Sequence, residues 1–167
     1  MTTAPRVLIV DDCADDRFLF ARALRVSGLN GSVVEIEDGE KASEYLQTEP
    51  PPDFVLLDLK MPLVSGFEVL EWIRGQPALK KVPVVVLSSS PIPQDIEKAK
   101  KLGAREYIVK MDYSTIRTAL TDLSARYFCH SLNTWPGLRI ADLIWTIREG
   151  PLKLGFPFHQ GRNTESA

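Results

Sequence analysis

The sequence is poor in cysteine and histidine, with only two of each among its 167 residues. Cys13 and Cys129 lie far apart, and no cysteine or histidine pair has the spacing of a zinc site. This scarcity argues against a disulfide scaffold and against a structural zinc centre. We therefore expect both cysteines to act as small apolar residues in a reducing compartment.

An excess of positive charge is also lacking. The 20 lysines and arginines are balanced by 22 aspartates and glutamates, which gives a formal net charge of -2. Without an overall basic field, we do not expect direct binding of nucleic acid. No apolar run is long enough to span a bilayer, and residues 1–6 have no export signal pattern. We predict a cytoplasmic protein without a membrane partner.

Apolar runs of strand length, rich in β-branched residues, recur along the first two thirds of the chain. They lie at residues 7–10, 33–36, 54–57, 82–87 and 107–109, and helix-like segments separate them. Nearly continuous apolar strands are typical of a parallel sheet that helices cover on both faces. Right-handed crossovers then predict an α/β fold with a doubly wound five-stranded parallel sheet of the flavodoxin type.

The helix-like segments have apolar faces that predict their contacts with this sheet. Over residues 15–26, we expect the core face to consist of Phe18, Leu19, Ala23 and Val26. Over residues 114–127, it should consist of Ile116, Leu120 and Leu123. Ser65 is a candidate N-cap for the helix that follows the third strand, and Gly103 a stop signal for the fourth helix.

Polar residues follow the predicted strand ends, where ligands bind in open α/β sheets. They are Asp11, Asp12, Asp58, Ser88 and Lys110. If the strand order is 2-1-3-4-5, the three aspartates meet in one cleft, and they can all stay ionised only if a cation offsets their repulsion. A hard divalent ion such as Mg²⁺ suits carboxylate oxygens and leaves coordination positions for a phosphoryl oxygen.

This set of residues predicts a phosphoryl-transfer site. The carboxylate of Asp58 would attack phosphorus, while the metal and Lys110 stabilise charge on the phosphoryl oxygens and Ser88 donates a hydrogen bond. Taken singly, each residue has an ordinary explanation, since an aspartate at a strand end is more often a loop or cap residue. Asp12 or Asp15 could simply cap the first helix. The prediction therefore depends on the combination.

Two other classes of function use a similar sheet. A small Mg²⁺-dependent aspartyl-phosphate phosphohydrolase also has a nucleophilic aspartate, but it carries that residue after the first strand in a DxD arrangement, which Asp11-Asp12-Cys13-Ala14 lacks. A flavin carrier would bring a phosphate group to an acidic edge that repels it. Multiple turnover of phosphomonoesters would favour the first alternative, and a coloured protein the second.

Four motifs in this order resemble bacterial response-regulator receiver domains, which have the CheY-like fold. They are VLIVDD at 7–12, LLDLKMPLVSGFEVL at 56–70, VPVVVLSSS at 82–90 and LGAREYIVK at 102–110. The resemblance implies that Asp58 is the phosphoryl acceptor, that Asp11, Asp12, Asp58 and the main-chain carbonyl of Lys60 hold Mg²⁺, and that Lys110 is the essential lysine. It also implies that Ser88 and Tyr107 form the switch, and that the protein is a signalling protein, not an enzyme with a separate substrate.

One position departs from this family. Proline in a cis peptide bond usually follows the lysine, whereas Met111 follows Lys110 here. A cis bond without proline costs about 3 kcal/mol, so we predict a trans bond or a visibly strained one. Through this departure and the loop at 76–82, the chain resembles stand-alone receivers that serve phytochrome-type histidine kinases. Such relatives imply a sensor histidine kinase as partner and a homodimer formed by the fourth and fifth helices.

The receiver pattern ends near residue 129, and residues 130–167 form a C-terminal extension. This extension is too short for a common DNA-binding output domain with its own core. An apolar stretch predicts one helix at about 138–149, followed by an irregular tail. We expect the helix to pack on its own domain or on a sister subunit, with a separate partner as the next alternative and a membrane surface as the last.

Overall fold

The computed structural model of the protein describes residues 4–128, in which five strands alternate with five helices. The strands are β1 Arg6–Val10, β2 Ser32–Ile36, β3 Phe54–Leu57, β4 Val84–Ser88 and β5 Glu106–Val109. The helices are α1 Ala14–Val26, α2 Gly39–Thr48, α3 Gly66–Gly75, α4 Pro93–Lys101 and α5 Tyr113–Phe128. Among these helices none is long and apolar enough to cross a membrane. The predicted extension at 130–167, with its helix at about 138–149, lies outside the described residues.

All strand pairs in the sheet are parallel, and the strand order is β2-β1-β3-β4-β5. The predicted doubly wound sheet and its strand order are therefore confirmed. Because β1 lies between β2 and β3, Val10 at the end of β1 is paired with Leu57 at the end of β3. The residues that follow these two strands must consequently emerge side by side.

Helices cover both faces of the sheet, as its nearly continuous apolar strands require. On one face, α1 and α5 pack against the strands through the buried side chains Phe20, Ala21, Leu24, Ile116, Leu120 and Leu123. On the other, α2 and α3 contribute Ala42, Leu46, Val69, Leu70 and Ile73, and α4 contributes Ala99. The prediction for the apolar face of α5 is thus confirmed.

The prediction for the core face of α1 was right for Ala23 and Leu19 and wrong for the other two residues. Phe18 and Val26 were expected in the core, but their side chains are 59% and 74% exposed. Besides the predicted Ala23, the helix buries Phe20, Ala21 and Leu24. Apolar residues occupy so much of the circumference of α1 that periodicity alone allows two faces. Phe18 lies on the side of the exposed Arg22 and Arg25, and that side faces solvent.

Local signals in the sequence set several helix ends. The Ser65 hydroxyl accepts a hydrogen bond from the Glu68 amide while the Glu68 carboxylate accepts one from the Ser65 amide, which completes a capping box at the start of α3. After α4, Gly103 has a φ of 93°, a conformation that favours glycine. The alternative that Asp12 or Asp15 caps α1 was wrong, because the N-cap is Cys13, without a side-chain hydrogen bond.

The peptide bond between Lys110 and Met111 is trans, since the described residues contain no cis peptide bond. This is one of the two predicted outcomes. The chain enters α5 through Asp112, whose Oδ1 accepts a 3.0 Å hydrogen bond from the amide of Thr115. Asp112 thereby satisfies one of the free N–H groups in the first turn of α5.

Candidate functional site

The acidic residues are fixed by main-chain hydrogen bonds that extend the sheet beyond its strands. The amide of Asp58 donates to the carbonyl of Val10 at 2.9 Å, and the amide of Asp11 donates to the carbonyl of Ile36 at 3.1 Å. Each aspartate is therefore held by the strand next to its own. Their positions follow directly from the strand order.

Three carboxylates meet at this edge of the sheet. One ligand oxygen from each of Asp11, Asp12 and Asp58 lies within 4.8 Å of the other two. Asp11 and Asp58 are buried, whereas Asp12 is exposed and lies at the solvent side. The Oδ1 atom of Asp58 is buried without a hydrogen-bond donor, which is an unfavourable environment for a carboxylate oxygen. An acidic group with an unsatisfied oxygen fits a hard divalent cation.

Lys110, which follows β5, provides the positive charge of the site. Its Nζ lies 2.5 Å from Oδ2 of Asp11, 2.9 Å from Oδ2 of Asp16 and 3.4 Å from Oδ1 of Asp58. The ring of Phe20 lies beneath it, 5.4 Å from Nζ to the ring centroid. Burial alone would lower the pKa of Lys110, but hydrogen bonds to Asp11 and Asp16 and the nearby carboxylate charges outweigh burial and raise the pKa. The side chain is therefore an ammonium ion.

Burial also raises the pKa of Asp11 above its ordinary value. The hydrogen bond and the charge of Lys110 oppose this effect, and so does the hydrogen bond that the amide of Cys13 donates to Oδ1 at 2.9 Å. The charge of Asp58 acts in the same direction as burial. An additional cation in the cleft would favour the ionised carboxylates, as the crowding of three aspartates suggested.

The two oxygens of Asp58 have different surroundings. Oδ2 accepts a 2.9 Å hydrogen bond from the amide of Lys60, while Oδ1 faces Lys110. The main chain around Asp58 is closely packed, because a Cβ atom on Gly66 would lie 1.9 Å from the carbonyl oxygen of Asp58. Only glycine fits at that position. One oxygen of Asp58 is thus anchored by a hydrogen bond, and the other has an ion pair with Lys110 but no hydrogen bond.

Ser88 and Tyr107 are joined through the loop after β4. The buried Ser88 hydroxyl oxygen accepts a 3.3 Å hydrogen bond from the amide of Ser90. The Tyr107 hydroxyl donates a 2.7 Å hydrogen bond to the carbonyl of Ser90. Tyr107 is half-buried, and this hydrogen bond fixes its hydroxyl on the main chain of the loop.

The chain matches the family model for the response regulator receiver domain over residues 7–121, which is more than half of its length. It belongs to this family. As a receiver domain of the two-component type, it is 37% identical to the two-component response regulator ORR11 of Oryza sativa over 106 residues, or 64% of this chain and 71% of that protein. Because plant proteins are among the relatives, the assignment holds for the family without restriction to bacteria.

Solved structures agree with this assignment. The phosphorylated cyanobacterial phytochrome response regulator RcpA is 32% identical, with a TM-score of 0.71 over 81% of this chain and 100% of that chain. The Mn²⁺-bound form of the response regulator Rcp1 is 28% identical, with a TM-score of 0.69 over 80% and 99% of the two chains. Both share the fold of this receiver domain.

Two acidic residues of the receiver's site were missed at the sequence level. Asp16 bonds Lys110, and Asp95 in α4 pairs with the Lys60 ammonium at 3.2 Å. Oδ2 of Asp95 also accepts a 2.5 Å hydrogen bond from the Ser90 hydroxyl, which lowers the pKa of Asp95. Both residues lie in the first turn of a helix that follows a strand. That placement at the same edge of the sheet is the signal that could have indicated them.

Proposed function

We propose that this receiver domain accepts a phosphoryl group on Asp58 from a phosphohistidine of a sensor histidine kinase and signals through altered protein-protein contacts. The main supporting observation is the surroundings of Asp58 Oδ1. It is buried, lacks a hydrogen bond, lies 3.4 Å from the Lys110 ammonium and belongs to a group of three carboxylates. Such an oxygen is available for a bond to phosphorus, with positive charge beside it.

The transfer exchanges one phosphorus bond for another. An oxygen of the Asp58 carboxylate attacks phosphorus, the P–O bond forms as the P–N bond to the histidine breaks, and the imidazole leaves with the electron pair. Lys110, already held at the cleft, would stabilise negative charge on the phosphoryl oxygens. The Lys60 amide, which now anchors Oδ2, keeps the carboxylate in one orientation.

The metal proposed for this site is Mg²⁺. Asp11, Asp12, Asp58 and the main-chain carbonyl of Lys60 would hold it, and the bound ion would offset charge on the carboxylates and the phosphoryl group. Asp12 is the best residue for a test, because it is exposed and its replacement leaves no buried charge. Asp12→Asn should weaken Mg²⁺ binding in calorimetry by about tenfold or more, whereas Asp15→Asn, also exposed, should not. Equal affinities would contradict the assignment.

Ser88 and Tyr107 are the residues that we propose as the switch. Their shared contact with Ser90 supports this role, because rotation of the Ser88 side chain toward a phosphoryl oxygen would move the oxygen that accepts from the Ser90 amide. The same movement would loosen the loop that holds the Tyr107 hydroxyl. A local change of charge would thereby reach the surface formed by β5 and α4.

Labelling with a small phosphodonor tests the acceptor. With acetyl phosphate and Mg²⁺, intact-mass measurement should show one added phosphoryl group on the wild type and none on Asp58→Asn. Asp53→Asn is a matched control, because Asp53 is exposed and precedes the same strand at the opposite edge of the sheet. Equal labelling of Asp58→Asn would exclude the proposed acceptor, and multiple turnover of phosphomonoesters would instead favour the phosphohydrolase.

A phytochrome-type histidine kinase is the proposed partner. The likeness to RcpA supports it, and so does the likeness to the bacteriophytochrome response regulator AtBRR, which is 34% identical with a TM-score of 0.64 over 79% of this chain and 99% of that chain. Transfer from a purified phosphorylated phytochrome-type kinase should be complete long before transfer from a histidine kinase with an unrelated sensor. Equal rates from both kinases would argue against this partner.

A homodimer is the proposed assembly. Large apolar side chains are exposed beside the starts of α4 and α5, where Ile92 is 49%, Met111 78% and Tyr113 40% exposed. Such side chains favour burial against a second copy. Light scattering with beryllium fluoride should show a dimer that Met111→Lys weakens, while Val26→Lys, on the exposed side of α1, leaves it intact. A monomer under all conditions would contradict the proposal.

The remaining expectations stay predictions. They are the division into a receiver of residues 1–129 and an extension of residues 130–167, the cytoplasmic location, and the lack of direct binding to nucleic acid or membrane. Gel-shift and vesicle co-sedimentation measurements on the full chain would test the last of these.

A further inference from the structure

Lys110 has one more carboxylate partner than the proposed chemistry requires. Besides Asp11 and Asp58, its ammonium contacts Asp16, which lies in the first turn of α1 and outside the group of three carboxylates. The 2.9 Å contact between Nζ and Oδ2 of Asp16 has hydrogen-bond geometry. The contact with Asp58 at 3.4 Å is an ion pair without a hydrogen bond. The Lys110 ammonium therefore donates hydrogen bonds to Asp11 and Asp16 and has a weaker ion pair with Asp58.

Phosphorylation would change this distribution. A phosphoryl group carries between one and two negative charges at neutral pH and has three acceptor oxygens. An ammonium group has only three N–H donors, and two of those of Lys110 already bond carboxylates. One N–H therefore remains for a phosphoryl group on Asp58, and release of one existing partner would free a second for its other oxygens.

Burial decides which partner is released at lower free-energy cost. The side chain of Asp11 is 2% exposed, so water cannot take the place of Lys110 there, and its buried carboxylate would keep only the proposed Mg²⁺ as a counter-charge. The side chain of Asp16 is 32% exposed, and water can solvate its carboxylate after release. Asp16 is consequently the partner that Lys110 gives up.

We propose that Asp16 is a positioning residue, which competes with the phosphorylated Asp58 for the ammonium of Lys110 and so favours the unphosphorylated receiver. This inference rests on the proposed function of Asp58 and names a contact that opposes the phosphorylated state. Removal of the Asp16 charge should strengthen the contact between Lys110 and the phosphoryl group. The effect should depend on Lys110 and on the position of Asp16, not on negative charge in general.

The test uses beryllium fluoride with Mg²⁺ as a phosphoryl mimic, titrated calorimetrically into the full chain. Asp16→Asn should bind the mimic about two- to fivefold more tightly than the wild type, the size typical of an ion pair that is partly exposed. Asp15→Asn is the matched control. It removes the same charge from the same helical turn, but Asp15 is exposed and does not pair with Lys110 in the part of the chain that the structure describes.

A Lys110→Gln background separates competition from other effects of the substitution. The single variant Lys110→Gln and the double variant that also carries Asp16→Asn should bind beryllium fluoride equally, because both lack the ammonium group for which Asp16 competes. Equal affinities of Asp16→Asn and Asp15→Asn would overturn the inference, as would weaker binding by Asp16→Asn or a gain that persists without Lys110. Urea unfolding of each variant shows whether its fold is intact.

Failure of the proposed function would look different. If the wild type did not bind beryllium fluoride, or if Asp58→Asn bound it equally well, the acceptor itself would be wrong. If the wild type bound the mimic through Asp58 and only the comparison of Asp16→Asn with Asp15→Asn failed, the acceptor would stand and the role of Asp16 would fall.

Discussion

The Tyr107 hydroxyl donates a 2.7 Å hydrogen bond to the carbonyl oxygen of Ser90 and so connects β5 to the loop after β4. The amide of Ser90 bonds the Ser88 hydroxyl, and the Ser90 hydroxyl bonds Asp95 in α4. A single loop residue thus contacts both proposed switch residues and the helix beside them. Movement of this loop would connect the proposed acceptor site to the surface.

Tyr107→Phe should remove this hydrogen bond while keeping the ring. The carbonyl of Ser90 loses its donor, so we expect the free energy of unfolding to fall by about 0.5–1.5 kcal/mol, measured by urea denaturation. Tyr45→Phe is the control, since Tyr45 is also half-buried and its hydroxyl has no hydrogen bond among the described residues. A loss no larger than that of Tyr45→Phe would show that the contact contributes nothing to stability.

Gly66→Ala should displace the main chain at Asp58. The new Cβ would lie 1.9 Å from the carbonyl oxygen of Asp58, so the main chain must move. We expect a loss of about 1–3 kcal/mol in unfolding free energy and slower labelling by acetyl phosphate. Gly75→Ala, at the other end of α3, meets no atom within 4 Å and should leave stability equal or up to about 1 kcal/mol higher. Similar losses at both glycines would contradict the steric explanation.

Two phenylalanines of α1 should respond in opposite ways to truncation. Phe20 is buried against the sheet, and Phe20→Ala should lower the free energy of unfolding by about 3–5 kcal/mol because it leaves a cavity. Phe18 is mostly exposed, so Phe18→Ala should change it by no more than about 0.5 kcal/mol. Chemical denaturation measures both. The reverse ranking would mean that the other apolar face of α1 is the buried one.

Asp112 should make stability depend on pH in the acid range. Hydrogen bonds from the Ser114 hydroxyl and from the Thr115 hydroxyl and amide lower the pKa of Asp112 to about 2, from 3.8. A lowered pKa in the folded state means that the stabilisation is complete above the ordinary value and is lost as the pH falls toward 2.

The comparison of wild type with Asp112→Asn isolates this contribution from the other carboxylates. Asp112→Asn should lower the urea midpoint at pH 7, and the difference from the wild type should shrink as the pH falls from about 4 to 2. A difference that stays constant over this range would show that the charge of Asp112 is not responsible.

The architecture of the receiver domain could be predicted from the sequence, because its signals are local and repeated. Apolar runs located all five strands, and βαβ connections have one preferred hand, so few topologies were available. The convergence of Asp11, Asp12 and Asp58 then followed from strand order, since Asp11 and Asp58 directly follow strand ends and Asp12 is the residue after Asp11. The capping box at Ser65 was indicated in the same way, through contacts within a few residues.

Only the tertiary structure decided the features that depend on neighbours distant in the chain. The sequence of α1 has two possible apolar faces, and packing against the sheet and α5 selected the one with Phe20 and Leu24. The bonding of Lys110 to Asp16, 94 positions away in the chain, also required the folded sheet edge. Sequence patterns determined which residues form strands and helices, because those choices depend on local periodicity. The partners of each buried charge depend on three-dimensional distance and burial, which no local pattern contains.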